Sequence, residues 1–253
     1  MAYERTTSEY QAIVATTREY FFTGLIFIVS GVLNFSVVAN PLLPPEQSVR
    51  PGINKHYENP KFQDWVNRFE RPGREVYDKR YDVIDATGVK PGMAVADIGA
   101  GTGLFTRLFS ARVGPKGQVI AVDISRVFVE NVLRIAKEQG LKNIEGIVNT
   151  PRNVSLSPDS IDLAFVCDTY HHFEYPESTL KSIRHALRPE GALIVIDFRK
   201  IPGFSSPWVM NHVRTDKKTV IKEIGAAGFK LIEERPLLRS HYFLRFIKTR
   251  GIK

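Results

Sequence analysis

The chain has 253 residues, room for one α/β domain with an extension, and its 43% hydrophobic and 25% charged residues match an ordinary globular protein. That balance excludes disordered, collagen-like and wholly membrane-embedded architectures, and the single cysteine, Cys167, excludes internal disulfides and cysteine-based zinc clusters. The net charge of +8 is uneven, because residues 199–253 hold thirteen Lys/Arg against four acids, so the other 198 residues sum to −1. A basic C-terminal quarter can face an anionic membrane, a nucleic acid or an acidic ligand, or it can be a solvated helix face and edge strand kept soluble by lysines.

Residues 1–20 form a polar tail, after which Phe21 to Ala39 run for 19 residues without a charge, the length of a bilayer span. Val37 and Ala39 also put small residues at positions −3 and −1 of a signal-peptidase site. An anchor helix, a cleaved signal and a helix buried on the domain all fit. Glu4, Glu9 and Glu19 make the preceding tail unlike a basic signal region and favour the uncleaved anchor. The expected location is membrane-associated through residues 21–39, or exported if the segment is removed. Two Lys/Arg on each side leave the orientation tied. Residues 40–53, rich in proline, read as an extended linker, with the folded domain spanning 54–253.

Helical spacing covers Lys61 to Glu70 and Arg74 to Thr87, with Gly88 placed to stop the second helix. Strands follow at Ala94–Ile98, Gln118–Val122, Ile144–Val148, Ile161–Val166, Ala192–Ile196, Phe229–Glu233 and Tyr242–Ile247. Between them the pattern predicts helices over Thr102–Ala111, Arg126–Gln139, Pro176–Leu187 and Asp216–Ala227, with Ser125 as an N-cap and Gly140 as a C-cap. Strands interleaved with helices imply an α/β sheet of seven strands, mostly parallel, with helices on both faces. Arg235 to His241 is too short for a crossover, so the last strand runs antiparallel to its neighbour.

The strongest local signal is Asp97-Ile98-Gly99-Ala100-Gly101-Thr102-Gly103, where the first strand turns into a helix. Glycines there let the backbone pass beneath a ligand and take positive φ. Asp123, closing the second strand, is placed to accept hydrogen bonds from ribose hydroxyls, or to cap the helix that follows. Leu104 stands where a dinucleotide fingerprint has its third glycine, which argues against a nicotinamide oxidoreductase.

With these blocks, together with IDLAFVCDTYHHF at 161–173 and ALRPEGALIVIDF at 186–198, the sequence resembles the class I S-adenosylmethionine-dependent methyltransferases, in particular the small-molecule branch labelled type 11. The resemblance spans residues 70 to 250 and implies a Rossmann-like doubly wound seven-stranded sheet with an antiparallel last strand. It implies S-adenosyl-L-methionine as cofactor, with Asp97, Gly99, Ala100, Gly101 and Gly103 around its methionine portion, Asp123 on the ribose and Ile124 against the adenine. Asn149 stands where the family often has an acid for the adenine amino group, and Glu190 replaces the first glycine of a Pro-Gly-Gly turn, which changes only the turn type expected.

Cys167 reads as a core thiol, and the segment it opens leaves the ligand-binding edge of the sheet. Asp168 and Tyr170 are expected to line the methyl and acceptor region, Asp168 also touching the cofactor, and His171, or next to it His172, is a candidate base for an oxygen or nitrogen acceptor. Trp208, His212 and Arg214 suit an anionic or aromatic acceptor, unless they form a surface helix with a packed Trp, while Arg74, Glu75 and Tyr77 sit where a helix can close over the site. No metal site is expected. The function implied is methyl transfer to a small, lipophilic acceptor, with a noncatalytic cofactor-binding module or an RNA-modifying enzyme using the basic quarter as alternatives. Nucleic acid fits less well because no aromatic single-strand platform accompanies the charge.

Overall fold

The computed structural model describes residues 45–249, within a compact unit that begins at Pro44. The apolar segment 21–39, with the anchor and signal readings attached to it, lies outside the described residues. Among the described residues no helix is long and apolar enough to cross a membrane.

Seven strands form one sheet: β1 (Ala94–Ile98), β2 (Gln118–Asp123), β3 (Ile144–Val148), β4 (Ile161–Cys167), β5 (Leu187–Phe198), β6 (Phe229–Arg235) and β7 (His241–Lys248). Their order is β3-β2-β1-β4-β5-β7-β6. Pairs among β1 to β5 are parallel, whereas β7 is antiparallel to both β5 and β6. The short connection before β7 leaves no room for a helix and forces that reversal.

Alternation along the strands divides the core in two. Ala96, Ile98, Ala164, Val166, Leu193 and Val195 share one cluster with Leu180 and Ile183 of α6 (Pro176–Ala186) and Val220 and Ile224 of α8 (Lys217–Ala226). Val95, Leu163, Phe165, Ile194 and Ile196 face the other way, against Val83 and Ile84 of α3 (Arg80–Thr87) and Phe105 and Phe109 of α4 (Leu104–Val113). A period of two on strands and an apolar stripe on each helix produce this sandwich directly. The remaining helices are α1 (Phe62–Phe69), α2 (Glu75–Asp78), α5 (Arg126–Glu138) and α7 (Pro207–His212).

Several local expectations shift. The helix expected over residues 74–87 breaks at Lys79 into α2 and α3, and Gly88 ends α3 at φ 66°. Ser125 holds the N-cap position of α5 without capping, since its buried Oγ bonds no partner among the described residues and its N–H donates to Asp123 Oδ1 at 2.8 Å. Gly140 follows the C-cap residue Gln139 and takes φ 69°. Strand β5 begins at Leu187, five residues early, because Leu187 pairs with Ile161 before a register shift, so Glu190 lies inside the strand rather than in a turn.

The later part of the stretch read as linker is docked on the domain. Glu46 accepts hydrogen bonds from the N–H groups of Glu177 and Ser178 at 2.8 and 2.9 Å, filling the open start of α6, and Val49 N–H donates to the carbonyl of Glu174. Arg50 donates to the carbonyls of Asn211 and His212 at the end of α7.

Candidate active site

Two adjoining cavities open at the C-terminal ends of the parallel strands. The first is a crevice walled by the loop after β1, by Asp123 and Ile124 after β2, by Asn149 to Pro151 after β3 and by Cys167 to Thr169 after β4, with Tyr57, Phe69 and Phe128 across from them. The second lies between α1 and α7 and is aromatic: Tyr57, Trp65, Phe69, Phe198 and Trp208, with His171, His172 and His212 along one side and Arg68, Arg71 and Arg74 along another. Tyr57, Phe69, Arg74, Asp168 and His172 belong to both, so these residues mark the junction.

In the crevice the glycine loop does what its composition implies. Gly99 takes φ 74° and Gly101 φ 53°, and a Cβ on Gly99 would lie 2.2 Å from Thr169 Cγ2, so only glycine lets the loop pass the strand-four turn. Asp123 is 6% exposed and fixed at both oxygens, Oδ1 accepting from Ser125 N–H and Oδ2 from Gly101 N–H at 2.9 Å. Each oxygen keeps capacity for a further hydrogen bond from a ligand. Burial pushes the Asp123 carboxyl up to about 6, against the backbone donors that lower it. Asp97 is raised further, to about 7, by burial, with the Thr106 hydroxyl at 2.6 Å opposing and the Asp123 charge adding to it.

Ala100, Ile124 and Asn149 line the crevice as expected. Asn149 donates its amide N–H to the Thr150 carbonyl at 2.9 Å, which leaves its side-chain oxygen as an acceptor. Gly103 departs from the expectation: it does not line the crevice but starts α4 at φ 76°, where a Cβ would meet Val132 at 2.8 Å. It is a close-packing glycine between the loop and α5. Cys167 also forms part of the wall, its thiol raised well above the ordinary value by burial and then by the Asp168 charge, so it stays neutral.

Asp168 lies at the junction with φ 51°, a left-handed backbone conformation. Burial would raise its carboxyl, but the positive charges of His241 and Arg74 outweigh that and hold it well below the usual range. Arg74 Nη2 lies 2.5 Å and His241 Nε2 3.0 Å from its two oxygens. Burial alone would strip His241 of its proton, yet the carboxylates of Asp168, Asp197 and Glu75 raise it. Burial would raise the Glu75 carboxyl, but the Ser240 hydroxyl and the N–H groups of Arg239 and Ser240, the last two at 2.6 and 2.9 Å, donate to it and carry it down to about 2. Arg74 and Glu75, marked in the sequence as covering residues, therefore clamp α2 to β7. Tyr77 joins neither cavity.

Tyr170 is the clearest correction. It is wholly buried, and its hydroxyl donates to Glu223 at 2.8 Å, while Arg214 grips the same carboxylate through both terminal nitrogens at 2.8 Å. The 3₁₀ turn Tyr170–His172 sends Tyr170 into the core and the histidines toward the aromatic cavity. Arg214 is drawn away with it, leaving Trp208 and His212 of the expected cluster at the cavity, stacked with ring centroids 4.5 Å apart.

His171 is 3% exposed, with its backbone N–H and Nδ1 against Asp197 at 2.9 and 2.8 Å. His172 is depressed to about 2, by burial first and then by the neighbouring His171 and His212. Sequence reasoning missed Tyr57, Phe69 and Phe128 in the crevice and Asp197 and His241 beside it. None of the five has a spacing signal, because they come from separate elements and meet only through the fold.

Comparison with known proteins places the chain in a family. A model of the methyltransferase domain matches residues 89–233. The ubiquinone/menaquinone biosynthesis C-methyltransferase UbiE of Ectopseudomonas mendocina is 30% identical over 130 residues, 49% of this chain and 48% of that protein. UbiE of Pasteurella multocida is 33% identical over 129 residues, covering 48% and 46%. The chain thus spans about half the length of the curated relatives it matches. Among solved structures, a SAM-dependent methyltransferase from Aquifex aeolicus superimposes with a TM-score of 0.66 at 23% identity, covering 76% of this chain and 100% of that one. The [4+2]-cyclase SpnF superimposes at 0.60 and 16%, covering 72% and 86%. Both likenesses concern the fold.

Proposed function

Because the chain belongs to the methyltransferase-domain family, we propose that it binds S-adenosyl-L-methionine in the crevice and transfers the methyl group to a small aromatic acceptor in the adjoining cavity. The observation that carries this reading is Asp123: a buried carboxylate at the end of β2, fixed by two backbone donors and still open to hydroxyl donors from the crevice side. The donor set fits the cofactor. Asp123 would take the ribose hydroxyls, Asp97 and the loop Gly99 to Gly101 the methionine portion, Ile124 and Phe128 the adenine faces, and the Asn149 oxygen the adenine amino group.

When bound, the cofactor supplies a methyl group already activated by a sulfonium, so placement of the two reactants accounts for much of the acceleration. Tyr57, Phe69 and Phe128 exclude water from the crevice, and the aromatic walls of the second cavity hold a flat acceptor. Asp168, kept ionised by Arg74 and His241, is matched by those two cations and fixes the covering helix and β7 at the junction of the cavities. His171, oriented by Asp197, and His172, neutral at physiological pH, offer nitrogen acceptors to a hydroxyl on the acceptor.

The matched UbiE proteins are named as C-methyltransferases of ubiquinone and menaquinone biosynthesis, and the aromatic cavity with its histidines supports a hydroxylated ring as the acceptor of this chain. The apolar run 21–39 supports a membrane tether that would bring the domain to lipophilic acceptors, a point that protease protection of a tagged C-terminus tests. RNA modification has less support, because Arg199, Lys200, Arg214, Lys217, Arg235, Arg245 and Lys248 are engaged in contacts within the domain.

Calorimetric titration of the protein with S-adenosylmethionine, followed by product detection with a labelled methyl donor and a panel of hydroquinones and phenols, tests the proposal. Saturable binding that Asp123→Ala weakens at least tenfold is the expected result. No binding at millimolar cofactor would overturn it, and binding without any methylated product would leave a noncatalytic module.

A further inference from the structure

Three histidines from two distant parts of the chain converge on the floor of the aromatic cavity. One ring nitrogen from each of His171, His172 and His212 lies within 4.8 Å of the others. His172 Nε2 and His212 Nε2 stand 3.4 Å apart. That separation is too long for a good hydrogen bond between imidazoles, whereas a tetrahedral ion at about 2.0–2.1 Å from each nitrogen sets its ligands about 3.4 Å apart.

The surroundings orient these rings as ligands. Asp197 occupies Nδ1 of His171 at 2.8 Å, so the nitrogen left to His171 is Nε2, in the carboxylate–histidine arrangement that fixes metal-binding imidazoles. Trp208 stacks on the His212 ring at 20° between planes and holds it against the pair. His172 is the exception, since its Nδ1 is buried with no hydrogen-bond partner among the described residues, so its ring is held by packing between His171 and His212 rather than by an outer partner. All three rings line the same cavity, so a bound ion would keep a position open toward it. Arg50 opposes a cation, since its guanidinium bonds the His212 carbonyl at 2.8 Å, while the Asp197 carboxylate against His171 favours one.

We propose that His171, His172 and His212 form a binding site for a borderline divalent cation of the zinc or cobalt class, with its remaining coordination position facing the aromatic cavity. An all-imidazole set selects such ions over magnesium or calcium, which need oxygen ligands. The open position suits an oxygen donor, and its use by a hydroxylated acceptor rests on the methyltransferase reading. The metal site does not depend on that reading.

The test uses the full chain without a histidine tag, stripped with chelator and titrated with Co(II) alone, with zinc stoichiometry measured by plasma mass spectrometry. The expected result is one equivalent bound, with the visible absorption of low-coordinate Co(II). His212→Phe keeps the stack on Trp208 but loses the ligand, and is expected to weaken binding by more than the roughly 10–100-fold that loss of an outer-shell partner costs, as is His172→Gln. Should His212→Phe not fold, His212→Gln carries the same comparison. Absence of visible bands in the wild type, or equal affinity in the His212 variant, would overturn the site. The same samples titrated with S-adenosylmethionine separate the two claims, because cobalt binding without cofactor binding defeats only the functional reading and the converse defeats only the metal site.

Discussion

Asp168 Oδ1 lies 3.0 Å from Nε2 of His241, which couples the turn after β4 to the first residue of β7 across the mouth of the site. Arg74 meets the other oxygen of Asp168, so one carboxylate connects the junction of the cavities, the covering helix and the antiparallel strand. Removing its charge leaves the half-buried Arg74 and the buried His241 without a shared counter-charge. Asp168→Asn is expected to lower stability by about 2–4 kcal/mol and to weaken cofactor binding, both measurable by thermal melts with and without ligand. A melting temperature equal to the wild type would contradict this account of the clamp.

The raised carboxyls of Asp97 and Asp123 make cofactor affinity depend on pH. With folded values of about 7 and 6 against an ordinary aspartate value of 3.8, the empty domain holds protons that the unfolded chain releases. Their contribution to stability is therefore present below the ordinary aspartate range and is lost as pH rises through about 6 and 7. Ligand binding has the opposite sign, because hydroxyl and ammonium donors need the ionised acids. Affinity for S-adenosylmethionine is expected to fall between pH 8 and pH 5, by up to about tenfold per pH unit per group below each value. Calorimetry across that range is the check, and a flat profile would remove the premise.

Gly99 should tolerate no side chain. Gly99→Ala places a Cβ 2.2 Å from Thr169 at φ 74°, whereas Gly140→Ala, at φ 69°, meets nothing within 4 Å. The second substitution isolates the backbone strain, about 1 kcal/mol. The first should exceed it by a further 1–3 kcal/mol or so from overpacking and abolish cofactor binding. Equal melting temperatures for the two variants would show that the crowding is relieved at no cost.

Tyr170→Phe separates core from chemistry. The lost hydrogen bond to the ionised Glu223 should cost about 1.5–3 kcal/mol, with kcat at saturating substrate unchanged once a turnover assay is in hand. A large fall in kcat without loss of stability would return Tyr170 to the reacting atoms.

The legible part of this protein is the part governed by period and chain length. Short apolar runs separated by amphipathic segments mark all seven strands, the seven-residue link before β7 sets its direction, and the glycines and Asp123 lie at the crevice. Tyr170 was misplaced because a single 3₁₀ turn decides which of three adjacent aromatic side chains enters the core, and no pattern over three residues encodes that turn. His212 lies 40 residues beyond His172, on a helix of six residues whose seat is fixed by Arg50, so its approach to the other two histidines exists only in the assembled fold.

Glu46 bonds two N–H groups at the start of α6 from outside the sheet, and so marks where a shortened chain for expression or crystallisation can begin. A version starting at Pro45 retains that carboxylate, while one starting at Asn54 leaves Glu177 and Ser178 bare and should melt lower, by the equivalent of about 1–2 kcal/mol.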